Sequence, residues 1–246
     1  MLTHVRSDVK HPGVGTSSGT IDSDTISSVK ISEVCGLTGV SVSTMKYYLR
    51  EGLVHGGERV ESNQTAYDAT HVHRVKLVRA LIETGGLSIS ATKQVLSTLD
   101  ADDTSLAHTF EAAQHALGVG GAAPGTAEPG ERDRIVALAD AHGWKTTGGN
   151  PGLEVAARAL DAFSTIGFAP SGEFLDAYAS AAATIARADL VALTTRTRPD
   201  LVAELMVVGT VLGDALIAGL RRLAQENETA ELFPVPSSLD NDKDAK

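Results

Sequence analysis

The sequence predicts a mainly α-helical protein in two parts: an N-terminal group of helices interrupted by one short β-hairpin, and a C-terminal all-helical bundle. Three observations carry this. Apolar residues recur at helical spacing through most of the chain after residue 30. One stretch, Val54 to Tyr67, instead gathers the turn-formers Gly56-Gly57 and Ser62-Asn63, which read as a short hairpin. The run 118–130, Gly-Val-Gly-Gly-Ala-Ala-Pro-Gly-Thr-Ala-Glu-Pro-Gly, is a linker that divides the chain. A length of 246 residues, with 42% apolar composition, fits one or two globular domains.

Residues 1–28 are rich in Ser, Thr, Gly and Asp and hold no continuous apolar run. They read as a disordered extension and not as a secretory signal. Arg6, Lys10 and His11 could form a loose arm, but ordering a mobile tail costs entropy. Two short helices joined by a glycine turn follow. Ser32 is the expected cap of the first, with Ile31, Val34 and Leu37 giving it an apolar side. Gly39 supplies the turn. Ser41 caps the second helix, in which Val42, Met45 and Leu49 are expected to face inward. The other side carries Ser43, Thr44, Lys46, Tyr47 and Arg50. Hydroxyls, cations and a phenol in that arrangement suit phosphates and base edges in a major groove.

At these residues the chain resembles the MerR family of winged helix–turn–helix transcription regulators. The resemblance rests on Ile31-Ser32-Glu33-Val34, Gly39-Val40-Ser41, and Lys46-Tyr47-Tyr48 followed by Glu51-Gly52-Leu53. It continues through Tyr67-Asp68, the helix from Ala69 to Thr84, and Gly86-Leu87-Ser88-Ile89, and covers the block 29–100. It implies that the helix from Ser41 to Glu51 enters a major groove, with Tyr48 mainly packing. It implies a homodimer on an inverted-repeat operator that bends and untwists promoter DNA so that RNA polymerase engages it. The hairpin becomes the wing, where Arg59 and Tyr67 would grip flanking phosphates. The arginine that the family often places before this tyrosine is replaced by Thr65-Ala66. His71, His73 and Arg74, at the start of the next helix, are further phosphate candidates.

In that third helix Val72, Val75, Val78 and Ile82 line one stripe, widened by Leu77 and Leu81. Gly85-Gly86 ends it. Ser88 then caps Ile89 to Leu99, whose Ile89, Thr92, Val95, Leu96 and Leu99 face the same core. MerR-like proteins usually continue into a long coiled coil. Here Leu106, Phe110, Ala113 and Leu117 keep helical spacing only over 104–117, too short for a self-sufficient coiled coil. After the linker come a helix from Glu131 to Gly143, one from Asn150-Pro151 through Ile166, one from Ser171 to about Thr194, and one from Pro199 to about Glu226. Leu201 to Leu220 is apolar on nearly all sides. Glu204 and Asp214 disfavour a membrane span, whereas Gly209, Gly213 and Ala218 would let another helix approach closely, as in a homodimer. The expected organisation is therefore a disordered extension at 1–28, a winged helix–turn–helix domain at 29–100, a connecting helix at 101–117 and the linker at 118–130. A helical effector and dimerisation domain at 131–228 and an acidic disordered tail at 229–246 complete it.

Net charge is −10, but residues 26–100 hold 8 Lys and Arg against 7 Asp and Glu, while residues 101–246 hold 11 against 21. The acidity thus sits away from the candidate DNA-binding block. The only cysteine, Cys35, cannot form an intramolecular disulfide and reads as a small buried hydrophobe, consistent with a cytoplasmic protein. No P-loop, dinucleotide-binding glycine pattern or nucleophile elbow occurs, so neither an enzyme nor a cofactor is expected. His108, Glu111 and His115 share one helical stripe and are the candidate metal set, although a structural zinc needs a fourth ligand. Trp144, Phe163, Phe168, Phe174 and Tyr178 are candidate walls of a small-molecule effector pocket. The reading reached is a DNA-binding transcription regulator whose partners are double-stranded DNA, a second copy, RNA polymerase and an effector, with no membrane. The alternatives are an architectural, excisionase-like DNA-binding protein without effector, or a metal sensor built on His108, Glu111 and His115.

Overall fold

A computed structural model describes residues 28–61, 64–101, 105–120, 126–146, 149–195 and 198–234. The expected extension up to residue 27, the Ser62-Asn63 turn, the middle of the linker (121–125) and the tail from 235 lie outside these residues. Among them run α1 (Ile31–Thr38), α2 (Val42–Arg50), β1 (Glu58–Glu61), β2 (Gln64–Ala66), α3 (Ala69–Arg79), α4 (Ile89–Leu99), α5 (Leu106–Gly120), α6 (Pro129–Ala141), α7 (Pro151–Thr165), α8 (Gly172–Thr194) and α9 (Pro199–Leu232). The fold is mainly helical with one antiparallel hairpin, in the expected order.

The N-terminal elements form as the side chains dictate, with two shifts. α1 is capped at Lys30, whose backbone N–H donates to Glu33 Oε2 at 2.7 Å, and Ser32 already lies inside the helix. The inward face of α1 is Val34, Cys35 and Thr38; Leu37 is exposed. The inward face of α2 is Met45 and Tyr48 with Leu49 partly buried, while Val42 stands on the surface. Val42 sits in the first turn of α2, at the edge of the domain, and Tyr48 is the buried residue of its last turn. Gly39, at φ +71°, closes the turn between the two helices in a left-handed conformation that a side chain would strain. Arg79 of α3 locks this corner by donating to the Thr38 carbonyl at 2.6 Å and pairing with Glu83.

α3 ends in a π-turn, Ala80–Thr84, in which Gly85 N–H reaches back to the Ala80 carbonyl at 2.9 Å. The hairpin pairs Glu58 with Ala66 and Arg59 with Thr65, and a bridge between Tyr67 and Val29 ties its end to the start of the domain.

The C-terminal half departs from the expected boundaries. α5 runs into the glycine run as far as Gly120, α6 begins at Pro129, and α9 continues to Leu232. α5 is not a free dimerisation stub, since Thr109, Ala113 and Ala116 are buried and it packs on α4, α7 and α9. Most consequential is α9. Its Val207 and Val211 are fully buried in the same apolar core as Val34, Met45, Val75 and Leu81. α9 therefore completes the core of the first domain. Leu201–Leu232 is also the one stretch among the described residues long and apolar enough to cross a membrane by length and composition, a test that a core helix also passes.

Candidate nucleic-acid interface

α2 presents its polar side to solvent because Met45 and Tyr48 hold the other side against α1 and α3. Ser41 Oγ accepts from Thr44 N–H at 3.0 Å and lies 2.7 Å from Ser43 Oγ and 2.8 Å from Thr44 Oγ1. The N-cap and two candidate contact hydroxyls thus form one linked cluster at the end of the helix where positive backbone charge concentrates. Ser43, Lys46 and Arg50 are exposed and Tyr47 is half-buried. The Arg50 guanidinium lies 5.2 Å from the Tyr47 ring centroid, a cation–π pair that orients both groups outward. Glu51, at the end of α2, is held by Lys93 Nζ at 2.8 Å, and that bond keeps its carboxyl below the usual range. Its other oxygen lies 3.8 Å from Arg50 Nε, so Glu51 bridges α4 and the end of the polar face.

The wing carries Arg59 exposed on β1. Tyr67 is buried, its ring edge-on to His71 with centroids 5.2 Å apart, and desolvation raises its phenol pKa. Its ring closes the wing onto the helices.

The three phosphate candidates at the start of α3 also take other roles. His71 Nδ1 lies 2.7 Å from Asp68 Oδ1 within the cap of α3, and its Nε2 is buried with no partner among the described residues. Asp68 accepts from Thr70 and His71, first through the Thr70 hydroxyl and then through the His71 ring, which holds its carboxyl down at about 2. Arg74 is enclosed: Nε donates to the Leu53 carbonyl at 2.9 Å, and Nη1 and Nη2 fork onto Asp100 at 2.8 and 2.6 Å. His73 alone is exposed, and its Nε2 reaches Glu204 of α9 at 2.8 Å. The spacing of these residues signalled a surface patch; Asp68 claims His71 from three positions away, whereas the carbonyl and carboxylates that claim His73 and Arg74 lie 21 to 131 positions away.

The other candidate sites fare as follows. Among the described residues no three His, Cys, Asp or Glu side chains gather into a metal set, and Glu111 Oε1 and His115 Nε2 stand 3.7 Å apart. Phe163, Phe168, Phe174 and Tyr178 do come together as a ladder, with successive centroids 5.5, 6.4 and 4.5 Å apart. Phe168 and Tyr178 are exposed, so the ladder is a surface cluster and not a pocket wall. Trp144 lies instead beside His142, centroids 5.5 Å apart. A cavity of about 370 Å³ opens elsewhere, between α5, α8 and α9, which sequence periodicity did not reveal.

Residues 29–99 match the family described as MerR HTH family regulatory protein. This block is a MerR-family helix–turn–helix domain. The MerR domain is similar to the nodulation protein NolA from Bradyrhizobium sp. (strain NC92) and from Bradyrhizobium elkanii, each 39% identical over 56 residues. Those matches span 23% of this chain and 24% and 26% of the two relatives, so the similarity covers about a quarter of their length. Similarity beyond the MerR domain comes from the crystal structure of SCO5550 from Streptomyces coelicolor A3(2), assigned as a transcriptional regulator. It aligns with a TM-score of 0.63 at 26% identity over 84% of this chain and 99% of that one.

Proposed function

We propose that the chain is a sequence-specific transcription regulator that acts from the cytoplasm as a homodimer on an inverted-repeat operator, and is not an enzyme. The observation that carries this is the outward face of α2, where Ser43, Lys46 and Arg50 stand exposed beside Tyr47 on a helix anchored from behind by Met45 and Tyr48. Ser43, Thr44, Lys46, Tyr47 and Arg50 would meet the major groove, Arg59 of the wing a flanking phosphate, and His73 another where it leaves Glu204. Tyr67, His71 and Arg74 support this surface from inside the MerR domain. Distortion of the promoter for RNA polymerase, and control by a small-molecule effector in the C-terminal half, complete the proposal.

Dimerisation through α9 is supported by Leu216, Leu220 and Leu223, spaced i, i+4 and i+7 and all exposed. A stripe of that kind on a folded chain invites a partner. The test of DNA recognition begins with genome-wide capture of bound fragments, which returns the operator and its half-site spacing. On that operator, Lys46→Ala and Tyr47→Ala should each weaken binding about tenfold; Lys46→Ala should leave the melting temperature unchanged, while Tyr47→Ala, whose ring packs against the core, should also lower it modestly. Lys46→Ala should also reduce the slope of log K against log salt by about 0.9 if the ammonium meets a phosphate. Wild-type affinity in both variants would remove α2 as the reading element.

A further inference from the structure

α2 packs mainly on α1, and α1 in turn packs on α3, so the pose of the recognition helix is decided where α1 ends against α3. α1 has eight residues and no basic side chain in its last turn. The last carbonyls of a helix lack intrahelical partners, and a cation beside them complements the helix dipole. Arg79 supplies that cation from α3: its Nη1 donates to the Thr38 carbonyl at 2.6 Å, 41 positions away in the chain. Thr38 is buried, which makes an unmade bond there costly. Gly39 belongs to the same fit, since a Cβ on it would stand 3.3 Å from Arg79 Nη1.

The guanidinium is held in turn. Nε and Nη2 fork onto Glu83 at 2.9 and 2.6 Å. Glu83 lies in the π-turn Ala80–Thr84, a kind of distortion that recurs at functional sites. Gly85, which ends the turn, sits against Val211 of α9 with no room for a Cβ. Burial raises the pKa of the Tyr48 phenol, and the charges of Glu83 and Arg79 then act on it in opposite directions, so the pair lies within reach of the inward face of α2. One side chain thus ties the end of α1 to a turn against which α9 rests.

We propose that Arg79 is a positioning residue for DNA reading: by holding the Thr38 carbonyl it fixes the pose in which α1 carries α2 into the major groove, without itself touching the duplex. The proposal deepens the regulator reading and rests on α2 as the reading element. It sets Arg79 apart from the exposed cations of α2. Loss of a pose weakens contacts to base edges, which need exact placement, and spares the attraction to phosphates that supplies non-specific binding.

The test compares the affinity of the full-length protein for the captured operator and for a scrambled duplex of the same length, by fluorescence anisotropy well below each variant's melting temperature. Arg79→Gln should lower the operator-to-scrambled ratio about tenfold, with affinity for the scrambled duplex and its salt slope unchanged. Arg79→Lys should lose only about threefold, because an ammonium can donate to the carbonyl but cannot fork onto Glu83 as well. Glu83→Gln keeps the bond to the carbonyl and should keep the ratio. Leu99→Ala, at the end of α4 and partly packed on the core, lowers stability away from this corner and should also keep the ratio. A wild-type ratio in Arg79→Gln, or an equal loss in Leu99→Ala or Glu83→Gln, would overturn the proposal. A fall in salt slope by about 0.9 in Arg79→Gln would overturn it too, by making Arg79 a phosphate contact. If Arg79→Gln does not fold, Arg79→Lys decides: a reduced ratio with an unchanged slope supports the proposal, and a wild-type ratio removes it. A wild-type protein with no operator removes the regulator reading and this proposal with it, whereas an operator read equally well by Arg79→Gln removes the proposal alone.

Discussion

Replacing Arg74 with alanine distinguishes a structural cation from a phosphate-gripping one, and the structure sets the expected size of the effect. The side chain is 12% exposed and makes three hydrogen bonds, one to the Leu53 carbonyl and a fork onto Asp100. Leu53 itself is fully buried, so truncation strands its carbonyl in apolar surroundings, at about 1–3 kcal/mol for a buried acceptor left unmade. Losing one partner of a fully buried ion pair costs about 3–5 kcal/mol, but Asp100 is 35% exposed and regains water, which reduces that part to about 1 kcal/mol. The expected total is about 2–4 kcal/mol. Urea unfolding should show a lower midpoint with an unchanged m-value. Measured on the folded protein, operator affinity should keep its wild-type salt slope. Arg74→Lys should recover only part of the loss, because an ammonium cannot reproduce the fork and the third bond together. A stability change within about 0.5 kcal/mol, together with a salt slope reduced by about 0.9, would refute the reasoning and return Arg74 to the DNA surface.

Asp68 gives a pH-dependent prediction. Its folded pKa of about 2 lies below the ordinary carboxyl value of 3.8, so its contribution is fully present above about pH 4 and is lost as pH falls toward 2. Since the side chain is 48% exposed, the contribution is that of an ordinary helix cap, about 1 kcal/mol, and Asp68→Asn should keep most of it while flattening this part of the acid-unfolding curve. Gly85 tests the seat of α9. A Cβ there would stand 2.2 Å from Val211 Cγ1 and 2.8 Å from the Leu81 carbonyl, so Gly85→Ala should destabilise by about 1–3 kcal/mol. Adding Val211→Ala should offset part of that loss in a double-mutant cycle, and strictly additive losses would show that α9 does not pack there. Substituting Leu216, Leu220 and Leu223 with glutamate should give monomers by analytical ultracentrifugation with little loss of melting temperature, whereas a persistent dimer would place the interface elsewhere.

What the sequence disclosed and what it concealed divide along one physical line. Local signals were legible: the Ser41 cap, the Gly39 turn, the hairpin between Val54 and Tyr67, and the stripe of Val72, Val75 and Val78 all depend on residues within a few positions of one another. Val42 was assigned inward because i, i+3 and i+7 spacing does not tell how far the core extends along a helix, and the first turn of α2 lies outside it. His71, His73 and Arg74 read as a basic surface because Asp68, Glu204 and Asp100 had not yet been brought to them; two of those partners are 131 and 26 residues away. Four of the five grouped aromatics meet as a ladder while Trp144 lies beside His142, since periodicity brings rings on neighbouring turns together without indicating which other helix or layer they will meet. The cavity was beyond sequence reasoning for the same cause: its walls come from three separate helices.

The position of α9 changes what a truncation can test. Removing residues from 199 onward looks like a clean way to delete a dimerisation helix, but it would also take Val207 and Val211 out of the core that holds Met45 and Val75. Each is a fully buried side chain, and cavity-forming losses at such sites cost about 1–3 kcal/mol apiece, so a truncated chain would lose DNA binding by loosening α2 whether or not α9 makes the dimer. Surface changes at Leu216, Leu220 and Leu223 avoid that ambiguity, because they lie beyond the buried segment on the same rod. The rise along a helix puts Leu220 only about 14 Å from Val211. In a dimer built on that stripe, the pairing angle of the two α9 helices would set the separation of the two recognition helices almost directly, with no long coiled coil between. Half-site spacing in the captured operator is then a readout of α9 geometry, and it should shift in variants that repack Leu216 and Leu220 with bulkier apolar residues while the bases read by Lys46 and Tyr47 stay the same.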